Sequence, residues 1–315
     1  NSGRATQKAA YGLLSRVALY AEKWDVAAQA ARDCATAEGN LDLSENGYAK
    51  IFELGINSPE VLFAVEFKSS VIDHAYDAYV RPSGDTKELG KQVYSGFVPT
   101  SELVDSYEMA GDGGNFSWEK HGKDPYANRE PRFYATILYN GADWMGRKIE
   151  SFVGGKDGYK AYENAGAAGT TVTGYYLRKY LIDGDKTWVT SGSGQDWIVL
   201  RYAEVLLNKA EALAMENWNK NSAEALQALN DVRARVGLPA RATADKETFL
   251  EYVRHERKVE LAGEGFRYWD LRRWRLAEKV IDGQNVHGVK ISKQSDGSFT
   301  YEQVDADIDL GLFYS

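Results

Sequence analysis

Residues 6–34 read TQKAAYGLLSRVALYAEKWDVAAQAARDC, and this stretch decides the fold class. Its apolar residues Ala9, Ala10, Leu13, Leu14, Val17, Ala18 and Ala21 recur with the period of a helix face. The pattern breaks at Lys23-Trp24-Asp25, resumes through Val26, Ala27, Ala30, Ala31 and Cys34, and stops at Gly39. Two helices joined by so short a break form an antiparallel hairpin, and alanines let them approach closely.

The spacing Tyr20…Trp24…Ala27-Ala28 is similar to a tetratricopeptide-type unit. The same grammar returns far downstream, where Tyr202, Val205, Leu206, Lys209, Ala210 and Leu213 form one stripe. After Trp218, Asn221-Ser222-Ala223-Glu224 offers a cap with a carboxylate three residues on. Ala225, Leu226, Leu229, Val232 and Val236 follow before Gly237 and Pro239 stop the helix. A third helix is predicted over 246–262, ending at Gly263 and Gly265, with a short Trp/Arg-rich helix over 266–280. The chain therefore reads as mainly α, with tetratricopeptide-like hairpins interrupted by a large, partly β, loop-rich insertion. Residues 1–69 hold the first hairpin, 70–195 the insertion, and 196–315 the second hairpin and C-terminal helices, all within one domain.

The insertion has its own composition. Residues 70–195 hold 18 of the chain's 30 glycines and twelve of its twenty tyrosines. Glu60–Glu66 just before it, and Arg132–Ile137 within it, alternate as strands do; the rest reads as loop. Long loops are functional or disordered, and this aromatic content argues against disorder. The function is expected here.

Several function classes drop out. A formal charge of −8 leaves no basic excess for a nucleic-acid footprint. No apolar run reaches the roughly 20 residues that cross a bilayer. The single cysteine, Cys34, excludes an internal disulfide, and among alanines it reads as a small buried residue. His74, His121, His255 and His287 lack metal-ligand spacing, so neither metal nor cofactor is expected. Gly111-Asp112-Gly113-Gly114 is turn material, and Ser191-Gly192-Ser193-Gly194 reads as a flexible connector.

Two constellations carry chemistry. Glu256 and Glu260 share a helix face, and paired carboxylates can hydrolyse a glycoside; Asp112 and Glu119 are a second such pair. Arg257, Arg267 and Arg272 stand near the first pair, however, and ion pairing lowers the pKa that a general acid needs raised. Glu256, Glu260, Arg267 and Arg272 are thus expected to be buried against Trp269 and Trp274 as scaffold. The other constellation is aromatic. Sugar C–H faces pack on rings while Asp, Asn and Arg bond the hydroxyls. Tyr76 and Tyr79, three apart beside Arg81, fit that mixture, as do Tyr94, Phe97, Trp118 beside its glycines, and Trp144 as an outlying platform.

Five stretches together resemble the SusD/RagB-like family. They are Gly3-Arg4-Ala5-Thr6 with its helix through Trp24-Asp25, Val98–Glu108, Asp124–Phe133, Arg201–Leu207, and Glu256-Arg257…Glu260-Leu261…Glu264-Gly265…Arg267-Tyr268-Trp269-Asp270-Leu271…Arg273-Trp274. The resemblance implies a non-catalytic, lipid-anchored protein at the outer face of an outer membrane. Such a protein captures oligo- or polysaccharide, occasionally peptide, and presents it to a SusC-like TonB-dependent transporter. It also implies ligand contacts from loops between the first hairpin and Pro131-Arg132-Phe133, which favours Tyr76, Tyr79, Arg81, Tyr94, Phe97 and Trp118. Family members ordinarily carry a signal peptide, a lipidated cysteine and a helical segment ahead of the Gly3 motif, and an aromatic, proline-bearing tail where this chain has 307–315. The alternatives are a glycoside hydrolase using the carboxylate pairs and a tetratricopeptide-like adaptor for protein partners.

Overall fold

A computed structural model describes residues 4–158 and 170–306, so Gly3 and the tail 307–315 lie outside the described residues. The fold is mainly helical, with small two-stranded sheets. The chain forms two compact units.

The first unit runs to Glu66 and takes up Ala110–Gly113 and Asp196–Ala277. Thr6 caps the helix Gln7–Tyr20, its hydroxyl accepting from the Ala9 amide, and Glu22 in a left-handed conformation turns the chain into Trp24–Thr36. The second helix buries Ala27, Ala30, Ala31 and Cys34 as expected, adds Ala28, and leaves Val26 exposed. Burial pushes the Cys34 thiol up to about 11, so it is an inert core group. The first helix is rotated from the expected face. It buries Ala9, Gly12, Ser15, Ala18 and Leu19, leaving Leu13, Leu14 and Val17 exposed. Gly12 explains this, because a Cβ there would stand 2.9 Å from both Leu62 and Leu200. The close approach that glycine permits outweighs burial of the larger side chains.

Strand Val61–Val65 pairs antiparallel with Trp197–Arg201, closing the long sequence gap between the hairpins. Arg201 runs straight into the helix Tyr202–Arg235, which breaks at Asn217 (φ −164°, ψ 94°). Asn217 Oδ1 accepts from the Lys220 amide, so the cap lies four residues before the expected Asn221. The helix Lys246–Glu260 begins at Asp245, whose carboxylate accepts from the Thr248 amide at 2.7 Å.

In the short helix Arg267–Arg273 only Asp270 and Leu271 are buried. Trp269 is 55% exposed and meets Tyr268 edge-on, which corrects the expectation that it belongs to the core. Glu256 and Glu260 are buried, but against arginines from other elements. Glu256 pairs with Arg233, and Glu260 with Arg201 and Arg235.

The second unit comprises Phe67–Met109, Gly114–Gln195 and the chain from Glu278 on. Beyond the expected C-terminal helices, which reach Ile281, His287–Lys293 and Phe299–Asp305 form a hairpin in this unit that the sequence reading did not foresee. Its other elements are short helices and two-residue strands. Most of the stretch Arg132–Ile137, expected to be a strand, lies in the helix Pro131–Thr136, with Pro131 in its first turn, where proline's fixed φ suits helix initiation. Rings make much of the core: Tyr139 lies 4.5 Å from Tyr126 and 5.2 Å from Phe133, centroid to centroid.

Candidate functional site

The exposed rings of the loop-rich unit start from one short helix, Tyr76–Val80, which buries Asp77 and Val80. Tyr79 faces outward. The Tyr94 amide donates to Ala78 O at 2.8 Å, and the Gly96 amide donates to Tyr79 O, so 94–96 folds back along the helix. Ser95 holds this turn, its buried hydroxyl donating to Arg81 O at 3.0 Å. The Tyr79 and Tyr94 rings consequently stack at 5.2 Å with 27° between their planes. Tyr79, Tyr94 and Phe97 are 51%, 44% and 65% exposed. Rings that stack on each other and still face solvent form a fixed apolar platform.

The same helix walls a groove of about 760 Å³, lined by Ala75 and Ala78 together with Asp73, His74, Lys91, Trp188 and the segment Thr190–Ser193. Its floor is a clamp. His74 and Ser193 exchange both backbone hydrogen bonds, at 3.1 and 2.8 Å. The Ser70 amide donates to Ser191 O, the Ser69 hydroxyl to Gly192 O, and the Asp77 amide to Ser193 Oγ. The Ser191–Gly194 stretch is therefore no flexible connector. A Cβ at Gly194 would lie 2.6 Å from the Ser69 nitrogen, so the glycines exist to let two backbones touch. The alternating Ser-Gly-Ser-Gly was the sequence signal for this.

The His74 imidazole is spent on the same framework. Its Nδ1 accepts from the Tyr76 amide at 3.2 Å, which leaves Nε2 to donate to Gln195 O at 2.8 Å. Lys91 reaches across to Val189 O at 2.7 Å, with its ammonium 6.0 Å from the Trp188 ring centroid.

The remaining expected residues are placed otherwise. Tyr76 packs edge-on against Tyr180, its hydroxyl donates to Lys179 O at 3.0 Å, and burial pushes that hydroxyl's pKa far up. Arg81 has no exposed surface. It bonds Asp77, Asp85 and the carbonyls of Ile182 and Asp185, and its guanidinium lies 5.2 and 5.1 Å from the Trp144 and Trp188 rings. Trp144 is equally buried, its N–H donating to Asp85 at 3.0 Å. Tyr76, Arg81 and Trp144 are thus corrected from ligand contacts to framework. Trp118 is half-buried, with its N–H on Asp105 and its ring edge-on to Phe116. Of the seven expected residues the structure stacks Tyr79 and Tyr94 at the surface, with Phe97 exposed three residues further along the chain.

The carboxylate pair Glu256 and Glu260 has no access to solvent, and each is committed to guanidinium groups. Asp112 and Glu119 are exposed. Among the described residues no cluster of three or more His, Cys, Asp or Glu is arranged to hold a metal ion, and no helix is long and apolar enough to cross a membrane.

The family model described as the SusD family matches residues 59–309. The chain belongs to the SusD family. A SusD-like protein of Bacteroides fragilis superposes with a TM-score of 0.80 at 28% identity, covering 97% of this chain and 60% of that one. A SusD-like carbohydrate binding protein of the same organism gives 0.77 at 27% identity, over 91% and 55% of the two chains. A SusD-like protein of Formosa agariphila is 32% identical over 133 residues, which is 39% of this chain and 25% of that protein. The chain thus spans well under two thirds of the length of these SusD-family relatives.

Proposed function

We propose that this protein binds oligo- or polysaccharide without turning it over, on the Tyr79–Tyr94–Phe97 platform beside the groove of the loop-rich unit. The observation that carries the reading is the stacked, solvent-facing tyrosine pair. A ring face offers apolar area and a polarised surface to sugar C–H bonds, and it is held here without rearrangement. The SusD-like carbohydrate binding protein of B. fragilis lends support. The burial and pairing of Glu256 and Glu260 favour capture over hydrolysis, because these carboxylates cannot reach a substrate. The finer reading is that the protein sits at the outer-membrane surface through a lipid anchor and passes glycan to a SusC-like TonB-dependent transporter.

The test is a glycan array on the full-length protein, followed by calorimetry with the best polysaccharide. Tyr79→Ala and Phe97→Ala should each weaken binding several-fold with an unchanged melting temperature, since one stacked ring contributes about 0.5–1.5 kcal/mol beyond burial. Release of reducing ends would establish a hydrolase instead. Binding to peptides and to no glycan would establish the adaptor.

A further inference from the structure

Asp73 is the charged group of the groove that has no partner among the described residues. Its carboxylate is exposed and lines the cavity, and it makes no hydrogen bond or ion pair with another described residue. Its neighbours are committed: His74 through both ring nitrogens, Lys91 to Val189 O, and the Ser193 hydroxyl to the Asp77 amide. The position of the carboxylate is nevertheless built. Gly192 adopts φ +74°, and a Cβ there would fall 2.5 Å from Asp73 Cγ and Oδ1, so the carboxylate lies directly over a glycine that makes room for it. A free anion lining the groove has two acceptor oxygens to offer and no donor.

We infer that Asp73 is the specificity-determining group of this groove, accepting from two neighbouring hydroxyls of a sugar bound there, and that the ligand class is an uncharged, diol-presenting glycan. This rests on the glycan-binding reading above. A neutral sugar brings the donors that an unpaired carboxylate lacks. A polyuronate or sulfated chain brings a second anion to a groove where Lys91 is the sole cation among the lining residues and already has a carbonyl partner. Charge-assisted hydrogen bonds of this kind are the strong ones, and like charges close together oppose binding. Gly192 is a positioning residue in this scheme. It lets Asp73 lie where it does, and its left-handed φ and the carbonyl that accepts from Ser69 also hold the clamp.

The experiment uses the full-length protein against neutral polysaccharides (laminarin, xylan, mannan and starch) and polyuronates (alginate and polygalacturonate). Wild-type protein should bind from the neutral set and exclude the polyuronates. Asp73→Asn should weaken the neutral ligand by about ten- to a hundredfold, the range for a lost hydrogen bond to a charged group, while raising affinity for polyuronates. Unequal movement in opposite directions is something that a structural defect does not produce, and an unchanged melting temperature for this exposed residue confirms that the fold is intact. Asp73→Ala should weaken the neutral ligand at least as far as Asp73→Asn does. Wild-type binding to polyuronates as strong as to neutral chains, or neutral binding unmoved by Asp73→Asn, overturns the inference and leaves glycan binding standing. Binding to nothing in either set and nothing on the glycan array overturns both.

Discussion

The two units differ in how much of their buried charge is spent on irregular backbone. In the helical unit Arg201 gathers Glu60, Glu260 and Glu264, and Arg16 takes Glu204, each joining elements far apart in sequence. Helices and strands satisfy their own backbones, so side-chain charges are free to tie one element to another. In the loop-rich unit two buried guanidinium groups serve the irregular backbone, that of Arg81 in addition to its carboxylates. Arg129 donates to the carbonyls of Pro125, Val104 and Tyr107, and Arg81 to those of Ile182 and Asp185. Irregular chain leaves carbonyls unpaired, and an unpaired buried carbonyl is costly. Arginine and aromatic rings are consumed in covering them. An abundance of such residues in a loop region is therefore as much a folding requirement as a sign of a binding site.

The largest expected effects test that contrast. Arg201→Met should destabilise the protein by about 3–5 kcal/mol in chemical denaturation, because three carboxylates are buried around the lost cation and Arg235 reaches only two of them. Arg81→Met should cost somewhat less, roughly 2–4 kcal/mol, since Asp85 keeps Arg147 and the Trp144 N–H. Arg81→Met with unchanged stability and lost glycan binding would return Arg81 to the site and break the comparison.

A pair of tryptophans sharpens it. Trp144→Ala should cost about 3–5 kcal/mol, the range for large buried aromatics, whereas Trp269→Ala should cost less than about 1 kcal/mol because more than half of that side chain is already in water. Thermal melts of the two variants side by side are the measurement. Equal losses would mean that Trp269 is covered in the full-length protein.

These two residues also mark how far the sequence could be read. The hairpins were legible because a helical period repeats over many residues, and Thr6, Asp245 and Gly39 mark their ends with local chemistry. The face of the first helix was not, because Gly12 and Ser15 determine the packing by being small, and a hydropathy pattern gives small residues little weight. Trp269 was misjudged because a seven-residue helix has too few turns to define a face. At the candidate site, Tyr79, Tyr94 and Phe97 were legible as rings in glycine-rich chain. Tyr76 and Arg81 were not separable from them, since one helical turn sends Tyr76 inward and Tyr79 outward, and only the chain returning at 94–96 shows which side is which. Asp73 and the Ser191–Gly194 clamp needed the pairing of segments more than a hundred residues apart.

The smallest effect concerns a surface pair that links the two hairpins of the helical unit. Glu224 receives Arg32 at 2.6 Å and Lys209 at 2.8 Å, with both Arg32 and Glu224 more than a third exposed. The Arg32 hydrogen bond, aided by Lys209 and opposed by slight burial, holds the Glu224 carboxyl down to about 2. A folded-state value below the unfolded one means that the charged form stabilises the fold. That contribution is complete above the ordinary carboxylate range and disappears as pH falls from about 4.5 to about 2. Water and salt screen a pair this exposed, so its contribution should stay below about 1 kcal/mol. Glu224→Gln should therefore lower stability by that small amount at pH 7 and flatten the acid limb of the stability curve between those values. In the loop-rich unit the pair Glu88–Lys156 is similarly exposed and its carboxyl is lowered as well, so Glu88→Gln is the matched control. A larger flattening from Glu88→Gln than from Glu224→Gln would show that linking two packed hairpins adds nothing to the strength of a surface ion pair.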